Sequence, residues 1–259
     1  MSEISQFAQE RAQRIEEFGK DSSFKDLALT WVEASMKRKY IYNFDWMGRP
    51  IIQYPEDMVG VQELIWKIRP DVIVETGIAL GGSIVLSASM LALLDYCDAV
   101  QSGSMLDPSK PKRKVVAVDI DIRQHNRQAI EAHPLSNRLV LIEGSSIAEE
   151  TINKVRESVG DAKKVLVFLD SMHTHDHVLA ELEAYAPMVT KDSYCVVFDT
   201  VVEDLPKDYF ENRPWNPGNS PKSALHEYLR SHPEFVIDQT IHDKMMITAV
   251  PHGHLKRIA

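Results

Sequence analysis

Short apolar runs recur through the middle of the chain, and segments with helical spacing separate them. Runs of four to six apolar residues without alternation predict strands that are covered on both faces. Strands alternating with helices predict right-handed crossovers and a mostly parallel α/β sheet with helices on both faces. We predict strands at residues 72–75, 114–119, 139–143, 165–169 and 194–199, and helices at 84–94, 123–132, 147–159 and 177–185.

The N-terminal part of the chain has a different pattern. Helical spacing predicts one helix that ends at Gly19 and a second that begins at Ser22 or Ser23 and ends at Lys39. The sequence of residues 40–57 predicts an ordered loop. The sequence of residues 59–68 predicts a helix that ends before Pro70. We therefore divide the chain into a helical extension with its loop, residues 1–58, and a larger domain, residues 59–259.

Two further loops are predicted within the larger domain. Residues 101–113 are polar and contain two prolines, which predicts a mobile loop. Residues 206–221 are rich in Pro, Asn and Gly, which predicts a long ordered loop that could act as a lid. Because binding residues concentrate on loops, we expect acceptor contacts on these two segments.

Composition narrows the class of protein. The 259 residues include 29 Lys and Arg against 38 Asp and Glu, a formal net charge of −9, and 44% are hydrophobic. The acidic balance argues against a nucleic-acid partner, which usually needs a basic face. Cys97 and Cys195 lie in apolar runs and predict free core thiols. Residues 1–20 do not resemble a signal peptide, and no apolar run approaches the roughly 20 residues of a membrane span. We expect a cytoplasmic protein without a membrane partner.

A glycine-rich turn follows the first predicted strand, in the sequence Glu75-Thr76-Gly77 and then Gly81-Gly82-Ser83. Glycines let the backbone approach a ligand, and the next helix offers free N–H groups. The spacing fits neither the dinucleotide fingerprint nor the P-loop. An acid before the turn suits a cationic or amino-acid-bearing ligand, and a tight strand–helix turn is the alternative.

Polar residues also end the second and third predicted strands. Asp119 could accept hydrogen bonds from ribose hydroxyls, although a capping or solvated aspartate is equally compatible with its position. Ser145 and Ser146 follow Gly144 after the third strand, where the alternative is a cap for the following helix.

The densest group of reactive residues follows the fourth strand. Asp170 ends that strand and Asp199 ends the fifth, so both carboxylates could bind one hard cation such as Mg²⁺. His173 could act as a general base near neutral pH. His175 and His177 are predicted to begin the next helix, and the chain lacks the regular spacing of a zinc site. Two unrelated solvated acids are the alternative.

Taken together, these residues resemble a class I S-adenosylmethionine-dependent methyltransferase. More narrowly, the chain from about Tyr40 onward resembles the cephalosporin hydroxylase and rhamnosyl O-methyltransferase family, which includes metal-dependent macrolide sugar O-methyltransferases. The resemblance rests on residues 46–53, 74–77, 81–83, 170–173 with His177, 217–222 and 251–257.

The resemblance implies a Rossmann-like fold, S-adenosylmethionine and Mg²⁺ as cofactors, a sugar or glycosylated small molecule as acceptor, and a homo-oligomer. It implies that Asp170 and Asp199 bind Mg²⁺ and that Asp170 and His173 are catalytic, with His173 as the base. The implied cofactor residues are Glu75, Gly77 and Ser83 at the methionine end, with Thr76 and Gly81 in the same turn, Asp119 at the ribose, and Ser145 or Ser146 near the adenosine.

One position departs from the family pattern. The family commonly has Glu-Asp at the end of the fifth strand, where this chain has Phe198-Asp199. Two competing hypotheses remain. One, suggested by the name of one branch of the family, is a hydroxylase whose iron would be bound by His173, His175 and Asp170. The other is a binding protein that keeps the cofactor site and has lost the metal and the activity.

Overall fold

The computed structural model describes residues 2–259. Its N-terminal part contains two helices and a short hairpin that lead into a third helix. The hairpin was predicted as loop because Gly48 and Pro50 punctuate it. Met47 and Gly48 have φ values of 46° and 83°, as the two-residue turns of tight hairpins require. The elements are α1 (Glu3–Lys20), α2 (Ser22–Lys37), β1 (Phe44–Trp46), β2 (Arg49–Ile51) and α3 (Pro55–Ile68).

A seven-stranded sheet forms the centre of the fold. All five predicted strands form and pair in parallel, and two short strands that the sequence pattern did not reveal extend the sheet. The strands are β3 (Val72–Thr76), β4 (Lys114–Asp119), β5 (Leu139–Glu143), β6 (Val165–Leu169), β7 (Tyr194–Val197), β8 (Phe235–Ile237) and β9 (His254–Arg257). Their order is β5-β4-β3-β6-β7-β9-β8, with β9 antiparallel to both neighbours. The predicted Rossmann-like fold is confirmed.

Helices cover both faces of the sheet. One apolar cluster joins the sheet to α2, α3 and the long helix after β3, and a second joins it to the helices that follow β5 and β6. Strands β3, β6 and β7 are buried along their whole length, in line with their continuous apolar sequences, whereas the edge strand β5 is only partly buried. The remaining helices are α4 (Gly82–Ser102), α5 (Gln124–Glu131), α6 (Glu149–Val159), α7 (His175–Tyr185), α8 (Pro221–Tyr228) and α9 (Gln239–Lys244).

Helix α4 is longer than predicted and has the length and apolar composition of a membrane span. However, 61% of its most apolar window lies inside the fold, as expected for a core helix. Cys195 is buried, as predicted, while Cys97 on α4 is partly exposed, and both are free thiols. A cytoplasmic location stays a prediction.

The helical extension is not uniform in its packing. On α2, the Ser35 hydroxyl lies 2.7 Å from the Tyr54 hydroxyl, and the Trp31 ring packs against the Tyr54 ring with centroids 5.9 Å apart. No residue of α1 is buried, and this helix packs mainly along α9. Helix α2 thus joins the main core, and a domain boundary at residue 58 stays a prediction.

The order of strands sets the position of the site. Strand β3 lies between β4 and β6, so the chain winds outward in one direction to β5 and then returns to the other side of β3. In open α/β sheets, ligands bind outside the carboxyl ends of the strands at such a switch point.

Candidate functional site

The carboxyl ends of β3, β4, β6 and β7 are level with one another. The Gly77 amide donates to the Val118 carbonyl at 2.8 Å, and the Asp170 amide donates to the Thr76 carbonyl at 3.0 Å. The Phe198 amide donates to the Leu169 carbonyl at 2.9 Å. This register brings residues that are far apart in sequence to one edge of the sheet.

Asp170, His173 and Asp199 converge at that edge. Each offers one ligand atom, and the three atoms lie within 4.8 Å of one another. The His173 Nε2 atom lies 3.1 Å from the Asp199 Oδ2 atom. Asp199 adopts a left-handed backbone with a φ of 53°, a conformation that Asp adopts more readily than most residues. Two carboxylates and an imidazole fit a divalent cation, and the carboxylates suit Mg²⁺ in particular.

The electrostatic environment of this cluster also favours a bound cation. Burial raises the pKa of Asp170 well above its usual range, and the nearby Asp199 and Glu75 carboxylates raise it further. Burial likewise raises the pKa of Glu75 to about 7, although hydrogen bonds from the Ser83 and Ser87 hydroxyls oppose that shift. A bound cation would relieve the repulsion among these acids.

Phe198 points into the core beside the cluster. Its ring packs edge to face against Phe168 with centroids 5.9 Å apart. It also lines a small cavity of about 10 Å³ together with Gln53, Glu75 and Asp170. The ring therefore occupies space beside Asp170, and His173 lies next to the two aspartates.

A separate cleft of about 140 Å³ opens next to the cluster. It brings together four of the predicted cofactor residues, Gly77, Asp119, Ser145 and Ser146, together with Val118, Ile120, Ser171, Met172 and His177. The Asp119 Oδ2 atom accepts hydrogen bonds from the amides of Ile78 at 2.8 Å and Ala79 at 3.2 Å. Asp119 therefore holds the glycine turn while it faces the cleft. An acid and two hydroxyls at the carboxyl edge fit the polar part of a nucleoside.

The other predicted cofactor residues lie outside this cleft. Glu75 and Ser83 line the 10 Å³ cavity. Thr76 is fully buried, and its hydroxyl accepts a hydrogen bond from the Asp170 amide at 3.3 Å. A Cβ atom on Gly81 would lie 2.8 Å from the Ile130 side chain, so this glycine is packed against protein.

The alternative of a helix cap at Ser145 or Ser146 does not hold, because α6 begins at Glu149 and its N-cap residue is Ala148. Arg49 and Asn126 hold the glycine turn. Arg49 lies in the segment 46–53 that carries the family resemblance, but neither residue was predicted to have this role. The Arg49 Nε atom donates to the Leu80 carbonyl at 2.9 Å, and the Asn126 side-chain amide donates to the Ala79 carbonyl.

The three histidines after β6 point to different partners. His175 begins α7 and its Nδ1 atom lies 2.8 Å from the Ser223 hydroxyl, while its Nε2 atom lies 3.2 Å from Glu227. The His177 Nε2 atom lies 3.0 Å from the Ser146 hydroxyl. The iron ligand set of the hydroxylase hypothesis, His173 with His175 and Asp170, is therefore not assembled.

The predicted lid is an ordered loop that reaches the cluster. The Trp215 ring packs edge to face against His173 with centroids 4.8 Å apart. The loop is held at its C-terminal end, because Asn219 accepts a hydrogen bond from the His175 amide at 2.9 Å and Glu203 accepts one from the Gly218 amide at 2.9 Å. Its aromatic residue thus forms one wall beside the candidate base.

Comparison with known proteins agrees with this geometry. The model of the Rhamnosyl O-methyltransferase/CmcI family matches residues 38–258. A rhamnosyl O-methyltransferase of Mycobacterium leprae is 26% identical over 217 residues, covering 82% of each chain. One of Mycobacterium bovis is 27% identical over 220 residues, covering 82% of this chain and 77% of the relative. Among solved structures, one of CmcI with Mg and SAM superimposes on this chain with a TM-score of 0.55 and 15% sequence identity. The superposition covers 84% of this chain and 78% of that chain. The last comparison shows the fold.

Proposed function

The chain belongs to the Rhamnosyl O-methyltransferase/CmcI family, and on that premise we propose that it methylates a hydroxyl of a sugar or glycosylated metabolite. The chain is an S-adenosylmethionine-dependent O-methyltransferase, and we propose Mg²⁺ as its metal. The observation that carries the proposal is the convergence of Asp170, His173 and Asp199 beside the cleft lined by Asp119.

The acceptor class is supported by the relatives. The curated proteins that match over 82% of this chain are named rhamnosyl O-methyltransferases. A sugar hydroxyl is a weak nucleophile because its proton is held tightly. A site for such an acceptor therefore needs a means to weaken the O–H bond, and an acid-rich edge with an imidazole provides the groups for it.

Each cofactor has residues that would hold it. S-adenosylmethionine supplies an electrophilic methyl group on a sulfonium, and we place its adenosine in the cleft of Gly77, Asp119, Ser145 and Ser146. Asp170 and Asp199 would hold Mg²⁺, which supplies a Lewis acid that favours an ionised hydroxyl.

His173 is the residue placed to accept the acceptor's proton. Its Nε2 atom lies 3.1 Å from the Asp199 Oδ2 atom, so a hydrogen bond between the two side chains orients the imidazole. Trp215 packs against the same ring and fixes its plane. Because methyl transfer needs an in-line approach of acceptor oxygen to methyl carbon, correct positioning supplies much of the rate enhancement.

The test is methyl transfer to a panel of rhamnosides and other glycosides, followed by mass spectrometry of the acceptor. We expect a gain of one methyl group with the wild-type protein in the presence of Mg²⁺. His173→Ala and Asp170→Ala should abolish turnover and leave binding of S-adenosylhomocysteine mostly intact. Full activity in both variants would contradict the assignment. Cofactor binding without a Mg²⁺ effect, and without turnover on any glycoside, would favour the non-catalytic binding protein.

We also propose that the chain forms a homo-oligomer through its N-terminal helices. Ile4, Phe7 and Leu27 are 83%, 59% and 64% exposed, although all three are large apolar residues. A second copy packed on this surface would remove them from water. Light scattering coupled to size-exclusion chromatography should give a mass above 29.4 kDa, and a Phe7→Glu change should reduce it. A monomeric wild-type protein would contradict this proposal.

A further inference from the structure

Helix α7 carries a row of polar residues on the side that faces the core. His177, Glu181 and Tyr185 are spaced by four residues and so lie on one helix face. Glu181 and Tyr185 have no exposed surface. Burial of a carboxylate is unfavourable unless hydrogen bonds compensate it, so the contacts of this row need an explanation.

The row binds two loops that both line the cofactor cleft. The Ser171 hydroxyl donates to Glu181 Oε1 at 2.7 Å. The His177 Nε2 atom lies 3.0 Å from the Ser146 hydroxyl oxygen and 3.2 Å from that of Ser171. The Tyr185 hydroxyl donates to the Ser146 carbonyl at 2.6 Å. The loops after β5 and β6 are therefore held by one helix.

These contacts assign the proton of the neutral His177 ring to Nε2, and with it the direction of the hydrogen bonds. The Ser171 hydroxyl gives its only proton to the Glu181 carboxylate, so its oxygen is left to accept from His177 Nε2–H. The same N–H also faces the Ser146 oxygen. Ser146 is then an acceptor toward His177, and its own proton remains available to the cleft that it lines.

A nucleophilic role for Ser146 does not fit this arrangement. In a Ser-His-acid triad the imidazole uses one nitrogen for the serine and the other for the acid. Here Nε2 makes both serine contacts, and the same nitrogen is the one nearest Glu181, at 3.6 Å.

We propose that His177 is a positioning residue that makes Ser146 a hydrogen-bond donor to a ring nitrogen of the adenine. The inference rests on the proposed function, in which this cleft binds the adenosine of S-adenosylmethionine. Asp119 is suited to the hydroxyls of the ribose, because a carboxylate accepts hydrogen bonds. The Ser146 hydroxyl is a donor in the same cleft and calls for an acceptor, and the unprotonated ring nitrogens of adenine are acceptors.

The experiment is isothermal titration of the full chain with S-adenosylhomocysteine and with its 1-deaza, 3-deaza and 7-deaza analogues. In the wild-type protein, one analogue should bind about tenfold more weakly than S-adenosylhomocysteine, as expected for one lost hydrogen bond. Ser146→Ala and His177→Leu should bind that analogue and S-adenosylhomocysteine with equal affinity. His177→Gln, which keeps an N–H donor, should retain the discrimination. Glu183→Gln, on the exposed face of α7, is the matched control and should behave as wild type.

A purely structural role for His177 would lower the thermal midpoint and leave the discrimination among analogues unchanged. That result, or equal binding of all three analogues to the wild-type protein, would overturn this inference alone. No binding of S-adenosylhomocysteine to the wild-type protein would overturn both the inference and the proposed function. If His177→Leu fails to fold by circular dichroism, Ser146→Ala and His177→Gln decide the question.

Discussion

Gly77→Ala tests whether the turn after β3 fixes the position of Asp170. Gly77 has a φ of +89°, and a Cβ atom added to it would lie 2.0 Å from the Asp170 carbonyl oxygen and 2.6 Å from the carbonyl carbon. Both atoms belong to backbone, which cannot rotate away as a side chain would. An alanine at this position must therefore displace the end of β6, where a metal ligand is proposed.

Gly48→Ala is the matched control. Gly48 has a φ of +83° in the β1–β2 turn, and no atom lies within 4 Å of an added Cβ. Its substitution measures the backbone strain alone, about 1–2 kcal/mol for an L-residue in the left-handed region. Gly77→Ala adds steric overlap, for which about 1–3 kcal/mol is typical of an overpacked interior.

The assay is thermal unfolding of both variants, followed by Mg²⁺ titration. In a chain of this size about 1 kcal/mol shifts the midpoint by roughly 2–4 °C, so Gly48→Ala should lower it by about 2–8 °C. Gly77→Ala should lower the midpoint by about 4–20 °C, because backbone strain and steric overlap both destabilise this variant. Only Gly77→Ala should weaken Mg²⁺ binding. Equal midpoints and equal Mg²⁺ affinities in the two variants would refute the reasoning.

Four further predictions concern the site. His175→Ala should keep activity within about threefold of wild type in steady-state assays, because its ring faces Ser223 and not the cluster; a loss of bound metal would contradict this. Asp170→Asn should raise the metal-free thermal midpoint at neutral pH, because the native environment disfavours the ionised form, and should abolish any shift caused by Mg²⁺. Trp215→Ala should raise the KM of the acceptor more than that of the cofactor. The pKa of Glu75 in the folded protein is about 7, above the usual 4.5, so the free energy of unfolding of the wild type should fall as pH rises from about 4.5 to 7. Glu75→Gln should flatten that fall, as measured by urea titrations at several pH values.

The central strands could be predicted because each is a continuous apolar run covered on both faces. Strands β8 and β9 could not, since they have three and four residues and owe their conformation to pairing with each other and with β7. The β1–β2 hairpin was missed because the glycine that allows its tight turn is also typical of loops.

The acids of the site could be predicted because parallel strands end at a common edge, so residues that follow them converge. The contacts that support the site could not. Arg49 reaches a carbonyl 31 residues away, and Asn126 reaches one 47 residues away, and no local pattern specifies such contacts. The glycines were interpreted as room for a ligand, and Gly77 lines the cleft; Gly77 and Gly81 also leave room for protein atoms, which the sequence did not indicate.

The central claim is that one edge of the sheet holds a cofactor and a divalent cation as neighbours, with Asp170 serving the cation. The most direct measurement is calorimetric titration of S-adenosylhomocysteine and of Mg²⁺ into the wild-type protein and Asp170→Ala. The account predicts that both bind to the wild type, and that Asp170→Ala loses Mg²⁺ binding while it retains S-adenosylhomocysteine. Unchanged Mg²⁺ affinity in the variant, or no S-adenosylhomocysteine binding to the wild type, would contradict it.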